Sequence, residues 1–504
     1  MNVLIVAGHP RNDSLCNAMA KAYEDGAKSV GCRTVLLVLN RLQFDLNVTS
    51  EHWHLQYQEP DIIKSRKLIR WADHIVFVYP IWWGTMPALL KGFIDRVFTA
   101  GFAFNEIKGG TGYEPLLNGR SAQIITTLDT PRFIYHIYYK APGLNSMKKS
   151  ILGFCGIRLA RTLQFGIVKY STVSQRKHWL GKCHRYGRKL DSRVFTPYQQ
   201  LVFWLFAWLK ALRLQFYPMT FIAYSVGSLG ASGISGNLDK GSYWVGYGFV
   251  FFVEVMTVWT NELYDIDTDK HNKLYSTLTG GSRVVIMGLI TVKALKSGIA
   301  TAGLLAFIFW ISLMSLSSHI WMVGILSLAL MIIAVNYTAP PLRLSYKTLG
   351  EVTVAFTHSF AVIVCGFVFQ GGNPGNSFPW LVSLPLFFAV FPSILLAGIP
   401  DYLADRPAGK KTFAVRFGVL KAGIMAIAMN IMAAGILVVY AFLNVLDPVY
   451  KNILLGVIPH AGIMTWLLLR FLNDPQVKRI DGLLIGALSY LLWFVVIPIL
   501  NLLN

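Results

Sequence analysis

Asn261, Asp265 and Asp269 stand four residues apart in the stretch NELYDIDTD. On a helix that spacing sets all three on one face. Glu262 adds a carboxylate beside them, whereas Asp267 falls off the face and reads as a solvated helix-end residue. Asp401 and Asp405, in IPDYLADRPAGKKT, repeat the four-residue interval. Each set ends an apolar run, at the mouth of a membrane helix, where carboxylates are costly and seldom sit without a role. Two such faces turned toward each other would bind hard cations, and Mg²⁺ holding a substrate diphosphate is the obvious case. Basic residues follow both sets at similar offsets, which two merely solvated loop ends would not require.

The elements that must position these residues divide the chain. At 504 residues it is too long for one ordinary domain. It is 54% hydrophobic and 14% charged, but that average hides a split. Residues 1–175 are mixed and soluble-looking, residues 176–200 form a basic linker, and from 201 to 504 apolar runs recur, each long enough to cross a bilayer. The net charge of +21 fits a positive-inside bias and anionic lipid better than nucleic acid, since a recognition fold and aromatic interleaving are absent. The linker, with Arg176, Lys177, Lys182, Arg185, Arg188, Lys189 and Arg193, reads as headgroup contact and a cytoplasmic marker. Cys16, Cys32, Cys155, Cys183 and Cys365 are scattered without metal-ligand pairing, and a reducing compartment is the simplest reading. The opening MNVLIVAGHP is expected to be a buried strand rather than a signal peptide.

In the first part, strands are expected at Val3–Ala7, Thr34–Leu39, His74–Tyr79 and Ala122–Thr127, alternating with helices. That pattern predicts an α/β domain with a parallel sheet and helices on both faces, its ligand at the carboxyl ends of the strands. The first turn of the helix after the first strand, with Ser14 and Asn17 nearby, would suit a phosphate. GHPRNDSL followed by YPIWWGTMPALLKGFIDRVFTAGFAF resembles the flavodoxin-like NAD(P)H:quinone oxidoreductases over residues 1 to about 175. The resemblance implies FAD or FMN, with NAD(P)H as reductant. It puts His9, Ser14, Leu15 and Asn17 around the flavin phosphates and Pro80, Ile81, Trp82, Trp83 and Gly84 along the isoalloxazine. Thr126 and Thr127 would reach the flavin's polar edge, although Leu128 and Asp129 replace the glycine pair usual there. Tyr135, His136, Tyr138 and Tyr139 lie nearby, with structural roles as good an account as a proton relay. A homodimer through this domain is also compatible with the resemblance.

The second part is expected to be an all-α membrane domain of nine transmembrane helices, centred near residues 223, 252, 301, 328, 361, 389, 432, 461 and 492. Alternate loops carry the Lys and Arg residues, which places them, both acidic sets and the amino-terminal domain on the cytoplasmic side of a membrane, with the carboxyl terminus outside. A bacterial inner membrane is expected. NELYDIDTD, the Asp401–Asp405 pair and the loop YTAPPLRLSYKTLGE together resemble the UbiA superfamily of intramembrane prenyltransferases, and AGKKTFAVRFG resembles its dihydroxynaphthoate polyprenyltransferase branch. The resemblance implies Mg²⁺ on Asn261, Glu262, Asp265, Asp269, Asp401 and Asp405. It makes Arg343, Lys347, Lys410 and Lys411 candidate partners of a polyprenyl diphosphate, and Tyr337 and Tyr346 candidates for the acceptor and prenyl pocket. After Asp269 the chain reads HNKLYSTLTGG, departing from the usual pattern.

The two halves together predict a bifunctional enzyme. It would reduce a quinone to an electron-rich hydroquinone and prenylate that ring, as in menaquinone-type biosynthesis. Two alternatives stand beside this: a reductase acting on finished quinones, and a flavodoxin-like domain that senses redox state and regulates a monofunctional transferase.

Overall fold

Short apolar runs in the first 205 residues become the five strands of one parallel sheet: β1 (Asn2–Ala7), β2 (Arg33–Val38), β3 (His74–Pro80), β4 (Ser121–Thr127) and β5 (Arg158–Phe165). The computed structural model describes residues 1–50, 56–106, 112–191, 194–276 and 278–503. By their internal contacts these divide into two units, Met1–Leu205 and Phe206–Asn504. Strand order in the first is β2-β1-β3-β4-β5, so the chain direction across the sheet reverses between β1 and β3, where a crevice opens outside the carboxyl ends. β3 and β4 are buried along their whole length, as strands covered on both faces must be. β5 was not foreseen: arginines and a glutamine interrupt its apolar pattern, which an edge strand tolerates.

The stretch expected as a basic linker is a helix for much of its length. After α1 (Leu15–Lys28), α2 (Pro60–Trp71) and α3 (Ala88–Val97) comes α4 (Val173–Arg188), which starts with a reciprocal capping box between Thr172 and Gln175. It packs against α1 at backbone distance. A Cβ on Gly26 would lie 2.0 Å from the His184 carbonyl oxygen, and one on Gly187 would lie 2.3 Å from that of Tyr23. Because glycines make the contact, the apolar stripe is only Trp179, Leu180, Cys183 and Tyr186. That is too thin to stand out against the surrounding charge.

In the second unit all nine expected centres fall within helices: α5 (Tyr217–Ser235), α6 (Lys240–Tyr264), α7 (Val292–Leu316), α8 (Ile320–Asn336), α9 (Gly350–Phe369), α10 (Ser377–Asp405), α11 (Val419–Phe442), α12 (Leu454–Leu472) and α13 (Asp481–Leu503). Among the described residues, seven helices are long and apolar enough to cross a membrane; α5 and α8 are not among them. α8 has 17 residues. α5 is rich in Ser and Gly, which let another helix approach closely: a Cβ on Gly227 would lie 2.0 Å from the Ile363 carbonyl oxygen in α9. α9 itself contains a π-helical turn at Thr357–Ala361, a distortion often found at functional sites.

Candidate functional site

α6 ends at Tyr264, and a short helix, Ile266–His271, continues it. The register survives the junction, because the Asp265 amide donates to the Asn261 carbonyl at 2.9 Å and the Asp269 amide to that of Asp265 at 2.8 Å. The first acidic face is therefore kept. At the end of α10, Asp401 and Asp405 form the second face. Asn261, Asp265, Asp269, Asp401, Asp405 and Lys410 all line one cavity of about 520 Å³.

Lys410 sits where the faces meet. Its Nζ lies 2.8 Å from Asp265 Oδ2 and 4.0 Å from Asp405 Oδ1. Burial works against its charge, but Asp265 and Asp405 outweigh that and hold its pKa well above the ordinary lysine value. Asp269 is pushed up to about 8, by burial first and then by Asp265, Asp401 and Glu262. Asp265, Asp269, Asp401 and Asp405 thus share the cavity with Lys410 and Arg213, the only lysine and arginine among its lining residues.

The remaining expected residues separate. Glu262 does not reach the cavity: its two carboxylate oxygens accept the Ser282 amide at 2.7 Å and the Val284 amide at 3.1 Å. One residue beyond Asn261 on a helix is a turn of about 100°, which aims Glu262 at that loop. Asn261 Oδ1 accepts the Thr338 hydroxyl at 2.7 Å. Tyr346 donates its hydroxyl to Asp265 Oδ1 at 3.0 Å, and Arg343 stacks 4.3 Å from the Tyr346 ring. Burial is the main cause lifting the Tyr337 and Tyr346 hydroxyls to about 12, so both stay protonated. Tyr337 lines the cavity, but Tyr346, Arg343, Lys347 and Lys411 do not. Lys347 and Lys411 pair through their backbones and border a second, surface depression with Arg406 and Arg416, which shares Lys410 with the cavity. Asp267 is exposed, as expected.

The tract that departs from the usual pattern proves structural. Asn272 Nδ2 donates to Asp401 Oδ1 at 2.7 Å, tying the first motif to the second. Arg283 Nη1 donates to the Asp269 carbonyl at 2.5 Å. Gly281, at φ +71°, passes so close that a Cβ would lie 2.0 Å from Asp269 Oδ2, so only glycine fits there. Arg213 also lines the cavity and donates to the Leu278 carbonyl at 3.2 Å. Sequence reasoning missed it, for it lies before α5, far from either motif. Glu254 and His358 were missed as well, although a lone acid inside the apolar run of α6 was a visible signal.

In the first unit, the loops after β1, β3 and β4 meet at the crevice. Ser14 caps α1, its Oγ accepting the Asn17 amide at 3.1 Å, and Asn17 Nδ2 donates to the Arg11 and Asn12 carbonyls. Leu15 opens α1 and is partly buried. His9 is buried and edge-on to Trp82, with ring centroids 5.4 Å apart. Burial, then Arg11, lowers its pKa. Pro80 ends β3, and the Ile81 amide donates to the Thr127 carbonyl at 2.7 Å. Trp82–Thr85 is a tight turn closed by amide–carbonyl bonds in both directions, with Trp83 at φ 49° and Gly84 at φ 78°, the type I′ signature. It leaves the Trp83 side chain fully exposed. Tyr135 supports this turn by donating its hydroxyl to the Gly84 carbonyl at 3.1 Å, a structural role. His136 is bonded to Gln164, and Tyr138 and Tyr139 are exposed.

Residues 216–500, more than half of the chain, match the model of the UbiA prenyltransferase family. The chain belongs to that family. The UbiA unit is preceded by residues 1–180, which match the model for the flavodoxin-like fold. An uncharacterized NAD(P)H oxidoreductase of Haemophilus influenzae is 29% identical over 184 residues, 35% of this chain and 89% of that protein. A ribosyldihydronicotinamide dehydrogenase-like protein, traD of Penicillium crustosum, is 29% identical over 177 residues, and the match spans 65% of its length. Among solved structures, Smu.1420 from Streptococcus mutans is 34% identical, with 38% of this chain and 100% of that one covered and a TM-score of 0.33. A UbiA homolog from Archaeoglobus fulgidus bound to GPP and Mg²⁺ is 18% identical, with 58% and 100% covered and a TM-score of 0.45.

Both implied cofactors can be tested against the residues present. Around the UbiA cavity the two motifs offer carboxylate and amide oxygens, the ligands Mg²⁺ takes. Among the described residues, no three His, Cys, Asp or Glu side chains already stand close enough to share a metal ion. Lys410 occupies the place of positive charge, so a cation fits once the Asp265–Lys410 pair opens. At the flavodoxin-like crevice, the buried Thr126 Oγ1 and Asn17 Oδ1 lack hydrogen-bond partners, a cost that a ligand's polar edge would relieve. If the flavin lies on Trp83, replacing that exposed side chain will cost the fold little yet put a carboxylate against the ring. Trp83→Asp will therefore cut flavin occupancy at least tenfold, read from the flavin absorbance of purified protein, with the melting temperature unchanged.

Proposed function

We propose that the chain reduces a quinone with NAD(P)H through a bound flavin and then prenylates the resulting hydroquinone from a polyprenyl diphosphate, in menaquinone-type prenylquinone biosynthesis. The observation that carries this reading is the gathering of Asn261, Asp265, Asp269, Asp401 and Asp405 around Lys410 in one cavity. In this reading Asn261, Asp265, Asp269, Asp401 and Asp405 hold Mg²⁺, which neutralises the diphosphate leaving group. Lys410, released from Asp265, turns to the diphosphate oxygens, and Arg213 adds a second cation on the same wall. Glu262, Asn272 and Arg283 keep the loop after the first motif folded against both acidic faces. Tyr337 stays neutral at the cavity wall, and Tyr346, also neutral, steadies Asp265 through its hydroxyl. The flavodoxin-like domain supplies the electron-rich ring: a quinone is a poor nucleophile and its hydroquinone a good one.

Given NAD(P)H, a menadione-like quinone and geranylgeranyl diphosphate, the purified enzyme will form a prenylated hydroquinone identifiable by its mass. Absence of that product with every quinone tried, in protein that binds both cofactors, would sink the reading.

We also infer that all nine helices, α5–α13, cross the membrane, with the flavodoxin-like domain and both acidic motifs on the cytoplasmic side of a bacterial inner membrane. A reporter fused after Asn504 will then report the outer side and one at Met1 the cytoplasm. Both ends on one side would mean an even number of crossings.

A further inference from the structure

Glu254 stands in the middle of the apolar run of α6, two helical turns before Asn261. A carboxylate at that depth is expensive and marks a function by default. Its buried Oε2 makes no hydrogen bond of good geometry, and neither does the hydroxyl of Thr220 in α5, which is the side chain placed to bond it. Both side chains line a second cavity of about 240 Å³ between α5, α6, α8 and α9, walled otherwise by such residues as Val250, Val253 and Leu330. This cavity shares Arg213, Phe216, Asn261, Tyr337, Val354 and His358 with the acidic one, so the two adjoin. His358 lies in the π-helical turn of α9, and its Nδ1 donates to the Val354 carbonyl at 3.0 Å. A largely apolar chamber with one acid, whose Oε2 has at most the Thr220 hydroxyl for a partner, adjoins the acidic cavity and suits a ring that brings its own hydrogen-bond donor.

We propose that this second cavity takes the aromatic acceptor as an uncharged hydroxyarene, and that Glu254 receives the hydrogen of its ring hydroxyl during transfer. This deepens the prenyltransferase reading and rests on it. A ring carboxylate is disfavoured, because it would meet Glu254 in a largely apolar chamber whose one lining arginine, Arg213, is already engaged by the Leu278 carbonyl. The hydroxyl proton passes to Glu254 and its electron pair enters the ring. The allylic C–O bond breaks, its pair leaving on the diphosphate, and the ring carbon next to the hydroxyl-bearing carbon forms the new C–C bond. The hydrogen on that ring carbon then leaves as a proton to the diphosphate while Glu254 returns its proton to the ring oxygen. The products are prenylated hydroxyarene and protonated diphosphate, and Glu254 is restored.

The test uses the full chain with Mg²⁺ and geranylgeranyl diphosphate under exclusion of oxygen. The acceptors, supplied reduced, are 2-methyl-1,4-naphthohydroquinone, a fluorinated analogue with a more acidic hydroxyl, and 1,4-dihydroxy-2-naphthoate. The wild type will favour the uncharged ring at least tenfold in kcat/KM over the carboxylated one. Glu254→Gln keeps the shape of the side chain but cannot take the proton. It will lower kcat on the methyl compound on the order of a hundredfold, the usual weight of a general base. The loss will shrink on the fluorinated ring, which needs the base less; a merely structural defect would cost both rings equally. Wild-type kcat in Glu254→Gln, an equal loss on both uncharged rings, or a wild-type preference for the carboxylated ring would each overturn the inference while leaving the prenyltransferase reading intact. Failure of the wild type to prenylate any of the three would instead overturn that reading, and this inference with it.

Discussion

Replacing Asp265 or Asp401 with alanine will abolish prenyl transfer and leave NAD(P)H-dependent flavin reduction intact. Asp265 is the busiest side chain of the site: one oxygen accepts the Tyr346 hydroxyl and the other holds Lys410. Asp401 faces it across the cavity, anchored by Asn272. An ion at the leaving-group oxygens is worth several kcal/mol, and each ~1.4 kcal/mol is tenfold in rate, so a loss on the order of a thousandfold or more is expected. Asp265→Asn separates charge from packing, since the amide retains the side-chain volume and an acceptor for Tyr346. It will fail as alanine does, and removing Mg²⁺ with a chelator will have the same selective effect. Near-normal transfer in any of these variants would move the diphosphate site elsewhere.

With an oxidised quinone as the only acceptor, prenylated product will require NAD(P)H. With the same acceptor supplied already reduced, and oxygen excluded, the requirement will vanish. The expectation rests on nucleophilicity and on the joining of the two domains in one chain, which raises the effective concentration of hydroquinone near the transferase. A Trp83→Asp variant lacking flavin will prenylate the hydroquinone but not the quinone. Each outcome is a presence or absence of product, so a modest loss of stability would not imitate it. Full-rate prenylation of the oxidised quinone without reductant would show that the domains do not serve consecutive steps, and the joined chain would then need a different explanation.

Local periodicity made much of this legible from sequence. An interval of four residues on a helix fixes a shared face wherever the helix is placed, so the acidic residues could be grouped before any fold was known. Strand ends followed by short, distinctive loops located the crevice for the same reason: in a doubly wound sheet the carboxyl ends all lie on one side. Apolar runs marked the centres of helices α5–α13 of the second unit, seven of which, among the described residues, are long and apolar enough to cross a membrane. The edge strand β5 and the helix α4 escaped, because neither buries a wide apolar face and their contacts rest on glycines or on a single neighbouring element.

What each face meets was decided by the tertiary structure. Glu262 and Asn261 are adjacent, yet a turn of about 100° gives one to the Ser282–Val284 backbone and the other to the cavity. Lys410 and Lys411 are adjacent too, but the backbone pairing of Lys411 with Lys347 leaves only Lys410 lining the cavity. Arg213 joins the site from before α5, far along the chain from either motif, and Glu254, two turns up the helix that carries the first motif, faces an adjoining cavity that the motif spacing does not reveal. By itself the sequence determined which residues share a face and which chemistry that face could carry. The packing of distant helices decided which charges meet, because a side chain's partner across a cavity is set by long-range geometry that no local repeat encodes.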